Sequence, residues 1–180
     1  MAVIGGGKKL AWKDYTEVDA TKPGPTPGSV ISAGTALGLS SGYQEAYGVP
    51  KPGKVVLKCK DVEVEITFGS CWVAKGKQSD TLLNHEQGHY RIQELGAKEL
   101  DAGLAKIVVE EADLAAAQKA LKKAVDDATD AIDLLIDEMQ KKYDSASPKG
   151  TDHGLDASQQ SRWDLKMRAA TTLTDLKGSV

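Results

Sequence analysis

Residues Ser79-Asp80-Thr81-Leu82-Leu83-Asn84-His85-Glu86-Gln87-Gly88-His89-Tyr90 divide the chain into two textures and decide its fold class. Ser79 or Asp80 offers a side-chain oxygen to the free amides of a helix start, and Leu82-Leu83 opens an apolar pattern at helical spacing. The spacing predicts a helix from 79 to about 109. Within it His85 and His89 stand four residues apart, so both imidazoles leave one face and can reach a single Zn²⁺. Glu86 falls beside that ion and not on it, where its carboxylate can take a proton from a water and pass it to a leaving group. With only 3 histidines in the chain, a chance HExxH is expected at about 0.003 occurrences. Gly88 inside a helix costs about 1 kcal/mol relative to Ala, which points to close approach by another element or a ligand.

Downstream the texture stays helical. Asp113 reads as an N-cap, and Leu114, Leu121, Val125, Ile132, Leu135, Ile136, Met139 and Tyr143 form a stripe along a helix over 114–143. The stripe also fits a coiled-coil seam and so offers a surface for a partner helix. Residues 145–154, with Pro148 and two glycines, read as a loop. Asp156 with Gln159 resembles a capping box opening a third helix that carries Trp163, Met167 and Ala170.

Upstream the chain is rich in glycine, proline and β-branched residues. The Gly5-Gly6-Gly7 run reads as a flexible lead-in, and Lys22 to Gly28, with three prolines, as an exposed loop. Strand-like pieces lie at Ser29–Leu39, Tyr43–Tyr47 and Lys54–Lys60. In Val62–Phe68 the residues Val62, Val64, Ile66 and Phe68 alternate with Glu63, Glu65 and Thr67, the period of a half-buried strand. Cys71-Trp72-Val73 adds a third short strand to a meander sheet. Cys59 and Cys71 both fall in this region, so a cross-strand disulfide is a candidate. The expected architecture is one α+β domain over 1–180. Residues 1–78 are mainly strands and loops and 79–180 mainly helical, with a small antiparallel sheet packed on long helices and a zincin-like active-site helix.

Composition narrows the partners. The 180 residues hold 23 Lys+Arg against 26 Asp+Glu, a net charge of −3 that argues against binding nucleic acid through bulk electrostatics. Hydrophobic residues make up 41 %, an ordinary globular share, and no apolar run approaches a membrane span.

A catalytic zinc takes three protein ligands and keeps one position open. His153, in Gly150-Thr151-Asp152-His153-Gly154, is the remaining imidazole and ranks first as third ligand. Asp152 ranks second and Glu110 third. Glu94 and Glu99 lie too close to His89 on the same helix to wrap around the ion. The metzincin pattern HExxHxxGxxH is absent. Tyr143 ends its stripe beside the His153 loop; it reads as a core aromatic, or as a phenol that hydrogen-bonds the oxyanion of a tetrahedral intermediate. Tyr90 reads as packing.

These residues resemble a known group. Thr81 to Tyr90 is similar to the LLxHEQxHF signature of the DUF922 family of predicted bacterial secreted zinc-dependent proteases. Leu10-Ala11-Trp12-Lys13-Asp14-Tyr15 is similar to the family's opening Leu-x-Trp-x-Asp-Phe. Tyr143-Asp144, then Thr151-Asp152-His153-Gly154, then Gln159 or Gln160 and Trp163, echo its closing pattern. Tyr90 stands where the family has Phe, and the stretch from Asp144 to Thr151 is longer than the family spacing. The resemblance implies metal ligation by His85, His89 and His153, catalysis by Glu86, and a secreted or periplasmic setting. MAVIGGGKKL itself has no signal-peptide apolar run, so a cytoplasmic setting is the alternative.

The expected function is zinc-dependent hydrolysis of peptide bonds, with Glu86 as general base and then general acid and a peptide or protein as substrate. A sheet edge from residues 55–73 beside the metal helix would pair with an extended peptide. The alternative is a helical binding or structural protein that keeps the metal site with little turnover. The intact Glu86 favours the enzyme, because a purely structural zinc does not need that carboxylate.

Overall fold

Helix α1, Asp80–Leu104, is the axis on which the rest is hung. Ser79 caps it, accepting from the Leu82 amide at 3.2 Å. The helix stops before the expected 109 because Ile107-Val108-Val109 is β-branched and gains more as a strand. Residues Val108–Glu111 pair in register with Val55–Lys58. The structure, a computed structural model, describes residues 3–23, 30–147 and 149–180, the side chains of Pro23 and Val30 excepted. The Gly24–Gly28 part of the expected loop, Ser29 and Pro148 lie outside the described residues.

In chain order, a 3-10 turn at Trp12–Asp14 leads to β1 (Thr16–Val18), β2 (Lys22–Pro23), β3 (Val30–Ile31), β4 (Ala33–Gly34), β5 (Leu37–Tyr47), β6 (Val55–Phe68) and β7 (Trp72–Ala74). After α1 come β8 (Val108–Glu111), α2 (Leu114–Asp144), α3 (Ala157–Ala169) and α4 (Leu173–Ser179). The class is α+β, as the change of texture predicts.

The strands make more than the single meander expected. The pieces at 54–60 and 62–68 are one strand, bent at Asp61, whose φ is 48°. It lies between β5 and β8 in an antiparallel sheet, and the β5 register slips between Gly42 and Gln44. Residues 72–74 join a different sheet of order β1-β7-β4, parallel on one side and antiparallel on the other. Lys22 and Pro23 form a two-residue ladder with Ile31 and Val30 rather than loop. Cys59, in β6, and Cys71, which precedes β7 of the other sheet, are both buried and unbridged.

Two apolar clusters fill the space between these layers. One joins Val62, Val64, Ile66 and Val73 to Tyr90, Leu100, Leu104, Leu121 and Val125. The other joins Ile92 and Leu95 of α1 to Ile136, Met139, Tyr143, Trp163 and Met167. Of the α2 stripe expected to offer itself to a partner helix, Leu121, Val125, Ile136, Met139 and Tyr143 are buried within the chain, Ile132 and Leu135 are half-buried and Leu114 is exposed. No described helix is long and apolar enough to cross a membrane.

The Gly5–Gly7 segment is an ordered turn against α1. Gly5 and Gly7 have φ of 78° and 75°. Gly7 N–H donates to Glu94 Oε1 at 3.1 Å, the Tyr90 hydroxyl donates to the Gly5 carbonyl, and Gln87 holds residues 8 and 10 through both ends of its amide. One face of α1 (Gln87, Tyr90, Glu94) therefore secures the N-terminal segment, and another carries the histidines.

Candidate metal centre

Helical periodicity brings His85 and His89 to one face, with Nε2 atoms 3.2 Å apart. The far nitrogen of each ring is committed elsewhere. Gln140 donates its amide N–H to the His89 carbonyl at 3.1 Å, and its Oε1 meets His89 Nδ1. Gln160 donates to the Tyr143 hydroxyl at 2.6 Å and to Asp164 at 2.8 Å, and its Oε1 lies 3.3 Å from His85 Nδ1. Thr151 Oγ1 donates to the Tyr143 carbonyl at 2.6 Å and stands 3.3 Å from the same Nδ1. Acceptors around both Nδ1 atoms assign the protons there, so both Nε2 atoms carry lone pairs.

Those lone pairs meet Asp144. Its Oδ1 lies 3.2 Å from His85 Nε2, 2.9 Å from His89 Nε2 and 3.7 Å from His153 Nδ1. With both rings neutral, three acceptor atoms therefore converge with no donor between them, and Asp144 Oδ1 and His153 Nε2 are buried without a hydrogen-bond partner. Buried polar atoms without partners are costly. A cation resolves the conflict, and bonds of about 2.0–2.1 Å to a tetrahedral zinc would set donors apart by about the spacing seen here. Among the described residues, His85, Asp144 and His153 form a cluster of three whose ligating atoms lie within 4.8 Å of one another; the expected ligand His89 is outside that cluster and reaches the site through its Nε2 contacts with Asp144 and His85. A donor set of two imidazoles and a carboxylate could hold a metal ion.

Electrostatics follows this geometry. Burial opposes charge on His89, yet the contact and charge of Asp144, with help from Glu86 and Gln140, raise its pKa to about 9. Burial lowers the His85 pKa in spite of Asp144. Burial works against the charged form of Asp144, but the two imidazoles prevail and hold its carboxyl well below the usual range. In the metal-free protein, a proton on His89 does what a cation would do.

His153 reaches the site by a different route. Thr151, Asp152 and His153 donate backbone N–H groups to the carbonyls of Tyr143, Ser145 and Asp144 at 2.7, 3.0 and 3.2 Å. Asp152, His153 and Gly154 then take φ of 49°, 50° and 80°, a left-handed turn that L side chains rarely adopt. At Gly154 a Cβ would stand 2.9 Å from the His85 Cβ, so only glycine lets the loop pass the helix.

Two of the ranked ligands fall away. Glu110 pairs with Lys51 at the β8 edge, because the chain there is strand and not helix. Asp152 is not a member of the cluster; its neighbour's ring turns in instead. Tyr143 takes the core place and not the oxyanion place. It is fully buried, stacks on His85 at 4.7 Å between centroids, donates its hydroxyl to the His85 carbonyl at 3.1 Å and accepts from Gln160. Gly88 is explained here, since a Cβ would lie 2.0 Å from the Tyr143 hydroxyl.

Asp144 and Gln140 were not read from the sequence as site residues. Their signal was present: Gln140, Tyr143 and Asp144 are spaced i, i+3 and i+4 at the end of α2, and so share one face.

The cluster opens on a cavity of about 470 Å³ whose wall includes His85, Glu86, His89, Asp144 and His153. Its other wall includes Ile31, Ala33, Gly34, Trp72 and Leu155. The sheet edge beside the metal helix is therefore β4, with Val73 and Trp72 as its inner partners, and not an edge from 55–73. No curated protein and no solved structure gives a match to the chain. Residues 76–154, which carry the His85 helix, Asp144 and the His153 loop, match the family described as bacterial protein of unknown function, DUF922.

Proposed function

We propose that the chain is a zinc-dependent peptidase. One observation carries the reading: two imidazoles with adjacent Nε2 atoms and the buried Glu86 carboxylate share one wall of an open cavity. His85, His89 and His153 would hold the ion, with Asp144 Oδ1 as the carboxylate donor lying among them. A bound zinc would supply Lewis acidity toward a carbonyl and acidify a water. The chain's own residues do the rest. Glu86 accepts a proton and returns it to the leaving amine. Gln140, Gln160 and Thr151 hold the two helical rings in the tautomer that ligates. The β4 edge lies beside the cavity, where an extended peptide could pair with it over the apolar surface of Ile31, Trp72 and Leu155. The secreted or periplasmic setting rests on the family resemblance alone.

A second reading is supported by Asp144. Four protein donors describe a closed structural site, as in a binding protein that keeps the metal without turnover. Metal analysis combined with peptide hydrolysis by wild-type protein and Glu86→Gln separates the two. The peptidase reading expects bound zinc in both and turnover only in the wild type. Zinc without turnover in either would leave the structural reading.

A further inference from the structure

Thr35 belongs to no step above, yet it touches Glu86. Its Oγ1 donates to Glu86 Oε2 at 2.5 Å, and the Tyr15 hydroxyl lies 2.5 Å from the same Oγ1. A threonine hydroxyl has one proton. With that proton committed to a carboxylate, the second bond must be donated by Tyr15. The result is a directed chain from Tyr15 through Thr35 to Glu86. Tyr15 is buried, and burial first, with the Glu86 charge adding, pushes its phenol upward, so it stays a donor.

The fold brings the two residues together from opposite edges of a sheet. Tyr15 immediately precedes β1, and Thr35 immediately follows β4. These strands flank β7, one parallel and one antiparallel, and both Thr16 and Gly34 sit opposite Trp72. Tyr15 and Thr35 therefore emerge at the same end of the sheet, over α1. Neither belongs to the metal helix, and the metal donors do not account for the contact.

We infer that Thr35, held in place by Tyr15, is a positioning residue for Glu86. By occupying Oε2 it fixes the carboxylate rotamer and leaves Oε1 as the oxygen that takes and returns the proton. The inference rests on the peptidase reading for its consequence, though not for the contact itself.

The test uses the full chain in its zinc-loaded and chelator-treated forms. Glutamate carrying ¹³C at its carboxyl gives an infrared band for Glu86, isolated by difference against Glu86→Gln. Thr35→Val should move that band, with zinc content and helical circular dichroism unchanged. It should lower kcat about 10- to 100-fold at unaltered KM. Thr35→Ser, which keeps the hydroxyl, should restore both band and rate. Tyr15→Phe should give a smaller loss in the same direction, and it serves if Thr35→Val fails to fold. An unmoved Glu86 band, a change confined to KM, or a Thr35→Ser as impaired as Thr35→Val would overturn the inference. Equal turnover by wild type and Glu86→Gln would instead overturn the peptidase reading, and the infrared band would still decide whether Thr35 holds the carboxylate.

Discussion

His89 and His153 lie at one centre and are held there by different physics. His89 is placed by the period of α1, and Gln140 locks its ring from α2. His153 is placed by three backbone hydrogen bonds onto residues 143–145 and by a left-handed turn. A helix presents a ligand once it forms and packs. A loop presents one only when the whole return path is closed, so the loop ligand depends on more separate contacts, each worth about 1 kcal/mol. The difference predicts that the two halves of the site fail separately.

The largest effect should fall on chemistry and spare both halves. Glu86→Gln should keep zinc and the melting temperature and reduce peptide hydrolysis by about a thousandfold or more. Metal analysis, calorimetry and a fluorogenic peptide check it; loss of the metal would show that Glu86 has another role.

Gly88→Ala strikes the helical half. The added methyl would overlap the Tyr143 hydroxyl, which is fixed by the His85 carbonyl and Gln160. A cost of about 3 kcal/mol is expected, at the upper end for overpacking. Urea denaturation reads it, and a neutral result would mean that α1 and α2 can separate at this point.

Gly154→Ala strikes the loop half. It places a side chain at φ 80° and against the His85 Cβ, which should cost about 1–2 kcal/mol. Zinc affinity should fall while the helical circular dichroism stays. His153→Ala should act the same way, weakening zinc and leaving the helices, whereas His89→Ala should weaken zinc further because it removes a donor backed by Gln140. Competition titration with a chromogenic chelator ranks the three; a His153→Ala protein that binds zinc like the wild type would remove the loop from the site.

The smallest effect concerns pH in the metal-free protein. His89 binds its proton more tightly folded than unfolded, the folded pKa being about 9. Its contribution is therefore complete below the ordinary value near 6.5 and is lost as pH rises toward and through about 9. Asp144 has the opposite sign: its depressed pKa contributes above the ordinary carboxylate range and is lost on acidification below it. The melting temperature of chelator-treated protein should thus fall on the alkaline side, and His89→Gln should flatten that fall. Zinc-loaded protein should lack it, because the ion replaces the proton.

Much of this was legible in one dimension. Period 3.6 marked α1, α2 and the i, i+4 histidines, and period 2 marked Val62–Phe68, where Val62, Val64 and Ile66 are buried and Phe68 at the strand end is exposed, because each pattern reports which side of a single element meets the core. Ser79, Asp113 and Asp156 cap the helices that they were expected to cap. These are local properties, decided within a few residues. The fate of Val108–Glu111 was only partly local: its β-branched residues favour a strand, and the edge of β6 supplies the partner that makes it one. Nor was it local that residues 72–74 leave the main sheet, that β4 supplies the edge beside the metal helix, or that Tyr143 turns its hydroxyl to the His85 carbonyl. Asp144 and Thr35 belong with these. Each is an ordinary polar residue in sequence and gains meaning from atoms 51 to 59 positions away, because a carboxylate or a hydroxyl carries no period and its role is set by which lone pair or proton the tertiary fold places against it.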